Sequence, residues 1–375
     1  MSIKFFVQSF IERPSRGLCC LVDLPFRLSG CYNRIVMTIP GGGLEPRAPA
    51  NKGNGGIFLE FYGTIGPACA DLETLRQMAA AGMTGIRMNL SHGSLADHAD
   101  WLDLIRQAGI RQLLIDLQGP ELRIGVLAEP IRLSIGEGLR LGAGGVPCPA
   151  PLIQAVQPGQ KLLLDDGKLL AKVDAVEADA LRCTVLRGGL LQSRKSIAAP
   201  GAVVDSPTLT AEDLENLKAA KKCGVTGVML PFVRGAADIR ALRAALAEAG
   251  GETIRIFAKV ENLAGVNALP EFLPLVDQVV IARGDLGNAM PLWQLPACQK
   301  KLSAACRAAK VPFMVVTQLL DSMCERAVPT RAEVSDIYNA VLDGAASLML
   351  TGETAAGRYP VQAMEYLVQT ARTAL

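Results

Sequence analysis

Two apolar runs in the C-terminal half of the sequence stop at charged residues. IRIFAKVENLAGV carries Lys259 and Glu261, and QVVIARGDLG carries Arg283, Gly284 and Asp285. Lys259 and Glu261 are two positions apart, so in a strand they share a face. One metal ion can bridge Glu261 and Asp285, and a donor set of oxygens alone suits Mg²⁺ or Mn²⁺ better than zinc. A lysine beside that ion can neutralise negative charge as it develops. Gly284-Asp285 opens a short helix whose backbone N–H groups form an anion seat. Earlier, TGIRMNLSHG carries Arg87, which can grip a carboxylate or phosphate with two hydrogen bonds. Asn89, Ser91 and Asp116 present oxygens of the kind that surround a monovalent cation. Taken singly, each feature has a plainer explanation. The carboxylates could be solvated strand ends, the lysine their salt-bridge partner, and the glycine pair an ordinary βα turn.

The totals remove other chemistries. Formal net charge is +2, from 38 Lys+Arg against 36 Asp+Glu, which gives no reason to expect nucleic acid or an anionic membrane as partner. His92 and His98 are the two histidines, so a zinc site with several His ligands is excluded, and no G-x-S-x-G elbow accompanies them. The ten cysteines form no C-x-x-C pair and sit in apolar segments, the pattern of reduced thiols in a cytoplasmic protein. No run of eighteen apolar residues is present, so no transmembrane helix is expected.

Elements that alternate β and α must hold these residues. From residue 57 onward, β-rich runs such as IFLEFYG, TGIRMNL and IRQLLIDLQ are each followed by a helical stretch or a break, and after residue 200 the alternation resumes through TGVMLPF, IRIFAKV, VDQVVIARG, VPFMVVTQ and SLMLTG. The strands are too apolar to have a wet face, which argues for a parallel sheet covered on both sides. Eight such units predict an α/β fold, a (β/α)₈ TIM barrel over 57–120 and 201–375. Residues 121–200 alternate apolar and polar positions between Gly and Asp turns and predict a small antiparallel β domain inserted as a lid. Residues 1–56 are rich in Gly, Pro and Arg without period and are expected to be a disordered extension. In a barrel of this kind the chemistry sits at the C-terminal ends of the strands. Thr64, Arg87, Asp116, Lys259, Asp285, Thr317 and Glu353 all fall there.

TIGPA, AGMTGIRMNLSHG, IDLQGPELRIG, LLDDG, KVENLAGV, ARGDLG, TQLLDSM, PTRAEVSDIYNAVLDGA and MLTGETAAGRYP run in order from about residue 64 to 360. Together they resemble pyruvate kinase, and their number and order make the resemblance specific. It implies a (β/α)₈ barrel with an inserted β-barrel lid, and transfer of a phosphoryl group from phosphoenolpyruvate to ADP, giving pyruvate and ATP. It implies that Glu261 and Asp285 bind the divalent metal, Mg²⁺ or Mn²⁺, and that Lys259 and Arg87 contact the phosphoryl group. Gly284, Asp285 and Thr317 would sit by the substrate carboxylate, with Thr317 on the route that protonates the enolate. Asn89, Ser91, Asp116 and the Leu117 carbonyl match K⁺ ligands, and Glu121 accompanies a potassium requirement. Pro67, His92, Arg123 and Lys195 match the nucleotide side, and Asp166 is the lid residue expected to swing toward the metal–nucleotide complex.

The sequence ends at the eighth helix, where the family continues into a regulatory domain that binds a phosphorylated sugar. No response through that site is therefore expected, and a homo-oligomer smaller than the family's usual tetramer is allowed. Two alternatives stay open: a non-catalytic or regulatory homologue, and a related barrel enzyme that works on a metal-bound enolate.

Overall fold

The computed structural model describes residues 23–28, 31–36 and 59–375, apart from 121, 166, 203 and 205. Residues 1–56 and 57–375 form two separate units. In the first, Asp23–Leu28 and Cys31–Val36 pair as an antiparallel hairpin. The rest of the expected extension lies outside the described residues.

The second unit contains a closed barrel of eight parallel strands in sequence order. They are β1 (Glu60–Thr64), β2 (Gly85–Asn89), β3 (Gln112–Asp116) and β4 (Gly227–Leu230). β5 (Arg255–Val260), β6 (Gln278–Ala282), β7 (Phe313–Val316) and β8 (Ser347–Met349) complete it. β8 pairs with β1 and β4 with β3, which closes the ring. The predicted fold class and all eight strands are present.

Period-2 alternation divides the barrel interior into layers. Tyr62, Leu114, Met229, Phe257, Val280, Met314 and Met349 form a dry middle layer. Two positions earlier on the same strands lies a polar lower layer. There Arg255 donates to Gln112 Oε1 at 2.9 Å and stacks on Phe257, its guanidinium 5.0 Å from the ring centroid. Tyr62 donates to Glu60 at 3.0 Å, and Gln278 to Ser347 at 2.5 Å. Two positions later come Thr64, Asp116 and Lys259, so the apolar layer sets the height of the charged one above it.

The helices outside are set by local signals. Asp71 caps Leu72–Ala81 by accepting from Thr74 N–H, and Gly82 ends that helix at φ +115°. Thr210 with Asp213, and Thr330 with Glu333, form capping boxes on Ala211–Ala220 and Arg331–Leu342. No helix among the described residues is long and apolar enough to cross a membrane.

Between β3 and β4 the chain makes an inserted domain of antiparallel sheets, one of five strands and one of two. Its core is separate and includes Leu141, Leu162, Val173, Leu181 and Leu191. The insertion reaches the barrel rim, since a Cβ on Gly167 would fall 2.8 Å from Asn288 Oδ1.

Phe257 is fully buried at the centre of the middle layer. Phe257→Ala is expected to lower unfolding free energy by about 3–5 kcal/mol, read from the urea midpoint. A loss below about 1 kcal/mol would show that the layer is not close-packed.

Candidate active site

Arg87, Asp116, Lys259 and Glu261 meet at the C-terminal end of the barrel. Arg87 Nη2 lies 2.6 Å and Nε 3.1 Å from Asp116 Oδ2. Lys259 Nζ lies 3.1 Å from the same oxygen and 2.9 Å from Glu261 Oε1. Glu261 Oε2 accepts from the Phe232 N–H at 2.8 Å. The two carboxylates are buried, whereas side-chain exposures of 12% for Arg87 and 14% for Lys259 leave the cations at the opening. The anions form the floor and the cations reach toward anything bound above.

Burial alone would push the Asp116 carboxyl up, but Lys259 and Arg87 outweigh it and hold it below the usual carboxylate range. Burial likewise opposes the Lys259 charge, and Asp116 and Glu261 overcome that and raise its pKa. Lys259 therefore stays an ammonium. Two cations and two anions are thus in contact within one layer. Glu261 and Asp285 fit a divalent metal as donors. Glu261 keeps lone pairs beyond its two hydrogen bonds, and Asp285 is exposed in the first turn of Arg283–Ala289.

The turn after β7 is strained. Thr317 and Gln318 have φ of +69° and +52°, a region that a β-branched residue avoids. Arg283 holds the turn by donating to the Thr317 carbonyl at 2.7 and 3.2 Å and to the Gln318 carbonyl at 3.2 Å. Asp336 anchors Arg283 at 2.5 Å. The Gly284 N–H then donates to Thr317 Oγ1 at 2.8 Å, which fixes that hydroxyl beside the helix start. Gly284 and Thr317, just past two adjacent strands, are thus brought together, and Asp285 follows Gly284 in the helix.

The expected cation ligands sit together on one side of the opening. Asn89 and Asp116 are direct partners across β2 and β3, and Ser91 follows in the 3₁₀ turn Leu90–His92. Asn89 Oδ1 accepts from Ser91 N–H at 3.3 Å, and both Asp116 oxygens face cationic side chains. Leu117 is buried directly beyond them. Glu121 lies outside the described residues.

Among the residues expected to face a nucleotide, Pro67 is exposed just past β1. The His92 ring reaches solvent, yet partial burial and the cations Arg123 and Arg87 lower its pKa. Arg123 and Ser196 bridge antiparallel segments, which brings Arg123 and Lys195 onto adjacent stretches of the insertion. Lys195 pairs with Asp165 at 3.0 Å. Asp166 lies outside the described residues.

Several residues escaped sequence reasoning. Asp165, at φ +49°, pairs with Lys195, and the DD doublet gave no way to tell which carboxylate would do so. Glu353 was expected at the opening but is buried, accepting from the N–H groups of Leu320 and Thr351 at 3.1 and 2.7 Å. It braces two loops. Burial pushes the Cys69 thiol up to about 11, so the thiol nearest β1 is not a ready nucleophile.

An eight-stranded parallel barrel with an antiparallel insertion between its third and fourth strands and an ionic layer at its C-terminal end defines the class of this fold and site. The family described as "Pyruvate kinase, barrel domain" matches residues 60–364, and the chain belongs to that family. It is similar to the pyruvate kinase of Agrobacterium vitis, with 40% identity over 325 residues, 82% of this chain and 66% of that protein. It is 39% identical over 317 residues to that of Mycobacterium tuberculosis, covering 80% of this chain and 66% of that protein. For Aeropyrum pernix the identity is 37% over 319 residues, covering 83% and 69%. The chain thus spans about two thirds of these relatives.

The Asp116 contribution can be read through pH. Its folded pKa is depressed, so its stabilisation is complete above the ordinary value of about 3.9 and fades as pH falls through the lower folded value. In metal-free protein, Asp116→Asn is expected to lose about 3 kcal/mol at pH 7, and the gap to wild type to narrow below about pH 4. A gap independent of pH would contradict the pairing.

Proposed function

We propose that this chain is a pyruvate kinase, transferring the phosphoryl group of phosphoenolpyruvate to ADP. A terminal oxygen of ADP attacks phosphorus, the phosphorus–oxygen bond to the enol breaks, and the electron pair remains on the enolate. A proton at C3 of the enolate then yields pyruvate beside ATP. The observation that carries this reading is the buried ionic layer, with Lys259 and Arg87 reaching the opening from opposed carboxylates. Phosphoryl transfer depends on positioning and charge neutralisation rather than on a histidine base or a thiol.

Arg87 and Lys259 would hold the phosphoryl oxygens, and Lys259 would also stabilise the enolate oxygen. Thr317 Oγ1, fixed by Gly284, would lie on the proton's route to carbon. Glu261 and Asp285 would hold Mg²⁺ or Mn²⁺, which supplies positive charge shared by the substrate oxygens. Asn89, Ser91, Asp116 and the Leu117 carbonyl would border K⁺. Pro67, His92, Arg123, Lys195 and Asp166 would face ADP from the rim and the lid. Buried free thiols at Cys183 and Cys306 support a reducing, cytoplasmic setting.

The test is pyruvate and ATP formation from phosphoenolpyruvate and ADP. Activity should require both Mg²⁺ and K⁺, and Lys259→Met should lower kcat by about 10²–10³-fold or more. Equal rates with K⁺ and with tetramethylammonium would refute the potassium site. An inactive wild type that still binds phosphoenolpyruvate would favour the non-catalytic homologue.

A further inference from the structure

The two connections between barrel and lid converge on one buried carboxylate. Asp213 is 1% exposed, in the first turn of Ala211–Ala220. Its Oδ2 accepts from the Thr210 N–H at 2.8 Å, the ordinary bond of a capping box. Capping does not account for its other partners. Oδ1 accepts from the Gln118 N–H at 3.0 Å, and Oδ2 also accepts from the Gly119 N–H at 3.1 Å. Gln118 and Gly119 begin the outward crossing to the lid, and Thr210 ends the return crossing. The whole inserted domain separates them in sequence, yet one side chain ties them together.

The tie continues toward the chemistry. Gly119 has φ +59°, and a Cβ there would fall 2.5 Å from Pro231 Cγ, so the crossing lies flat against the end of β4. The next residue, Phe232, donates to Glu261. One turn along the same helix, buried Asn216 accepts from the Leu95 N–H at 2.9 Å and fastens the loop that follows His92. One helix face therefore secures both lid crossings and the β2 loop.

We propose that Asp213 is a positioning residue that pins the lid's two crossings at a single pivot, so that the lid's nucleotide-side groups Arg123 and Lys195 keep their register over the barrel opening. This rests on the phosphoryl-transfer reading above. Arg87, Asp116 and Lys259 stand on paired strands, and Glu261 is held by Lys259 as well as by the Phe232 N–H. Loss of the clasp therefore falls on ADP and spares phosphoenolpyruvate.

Steady-state kinetics and amide hydrogen exchange on wild type, Asp213→Ala and Asp213→Asn test this. Asp213→Ala should raise KM for ADP about tenfold while KM for phosphoenolpyruvate stays within about twofold. Asp213→Asn keeps one acceptor oxygen and should fall between it and wild type, and it serves if the alanine variant does not fold. Exchange at Gln118, Gly119 and Thr210 should quicken, with the lid strands Leu169–Val176 and Ala180–Arg187 unchanged. Equal rises in both KM values, or an unchanged KM for ADP in a folded variant, would overturn the proposal. A wild type that makes no pyruvate would sink the functional reading instead. Exchange alone would then decide the clasp, with unchanged rates at Gln118 and Gly119 overturning it.

Discussion

Four charges brought into one nearly dry layer constrain the rest of this structure. Asp116 and Glu261 are buried, and each has a cationic partner against it, Arg87 and Lys259 on Asp116 and Lys259 on Glu261. Replacing a buried ion cluster by hydrophobic residues of similar volume is often neutral or stabilising. A cluster of this kind therefore contributes function more than stability. Its geometry comes from below. The middle layer of Tyr62, Leu114 and Phe257 fixes the pleat, and the residues two positions further along β1, β3 and β5 must then point into the opening.

The same rigidity extends outward through backbone that would not hold its shape alone. Thr317 and Gln318 occupy left-handed conformations because Arg283 grips both carbonyls and Asp336 grips Arg283. Phe232, at φ +52°, is held through its N–H by Glu261. Phe232 is thus fastened by the ionic layer itself, and Thr317 and Gln318 by the Arg283–Asp336 pair. The geometry of the barrel opening is in this way set by the fold itself.

Much of this was legible in the sequence because strand ends announce themselves. An apolar run that stops at Lys-Val-Glu or Arg-Gly-Asp marks both a strand and its C-terminal end, and the eight runs fix the barrel. Pairing was less legible. Asp116 reads as an oxygen ligand, whereas its oxygens face Arg87 and Lys259, a contact that depends on β2, β3 and β5 curving round one axis. The salt bridge between Lys259 and Glu261 was open as the plainer alternative to a metal-side lysine, and the structure contains it. Asp213 was hidden because Thr-x-x-Asp signals only a helix cap, and its bonds to Gln118 and Gly119 cross the inserted domain. Glu353 has the right residue type and chain position for the opening, but it is buried and accepts from the backbone N–H groups of Leu320 and Thr351.

The proposed function requires that Glu261 and Asp285 together hold a hard cation at the barrel opening. Mn²⁺ binding, followed by electron paramagnetic resonance on wild type, Glu261→Gln and Asp285→Asn, tests it most directly. The account predicts one site per chain that is weakened by either substitution, with affinity rising when phosphoenolpyruvate is added. Binding that persists unchanged in Glu261→Gln would place the ion elsewhere and contradict the account.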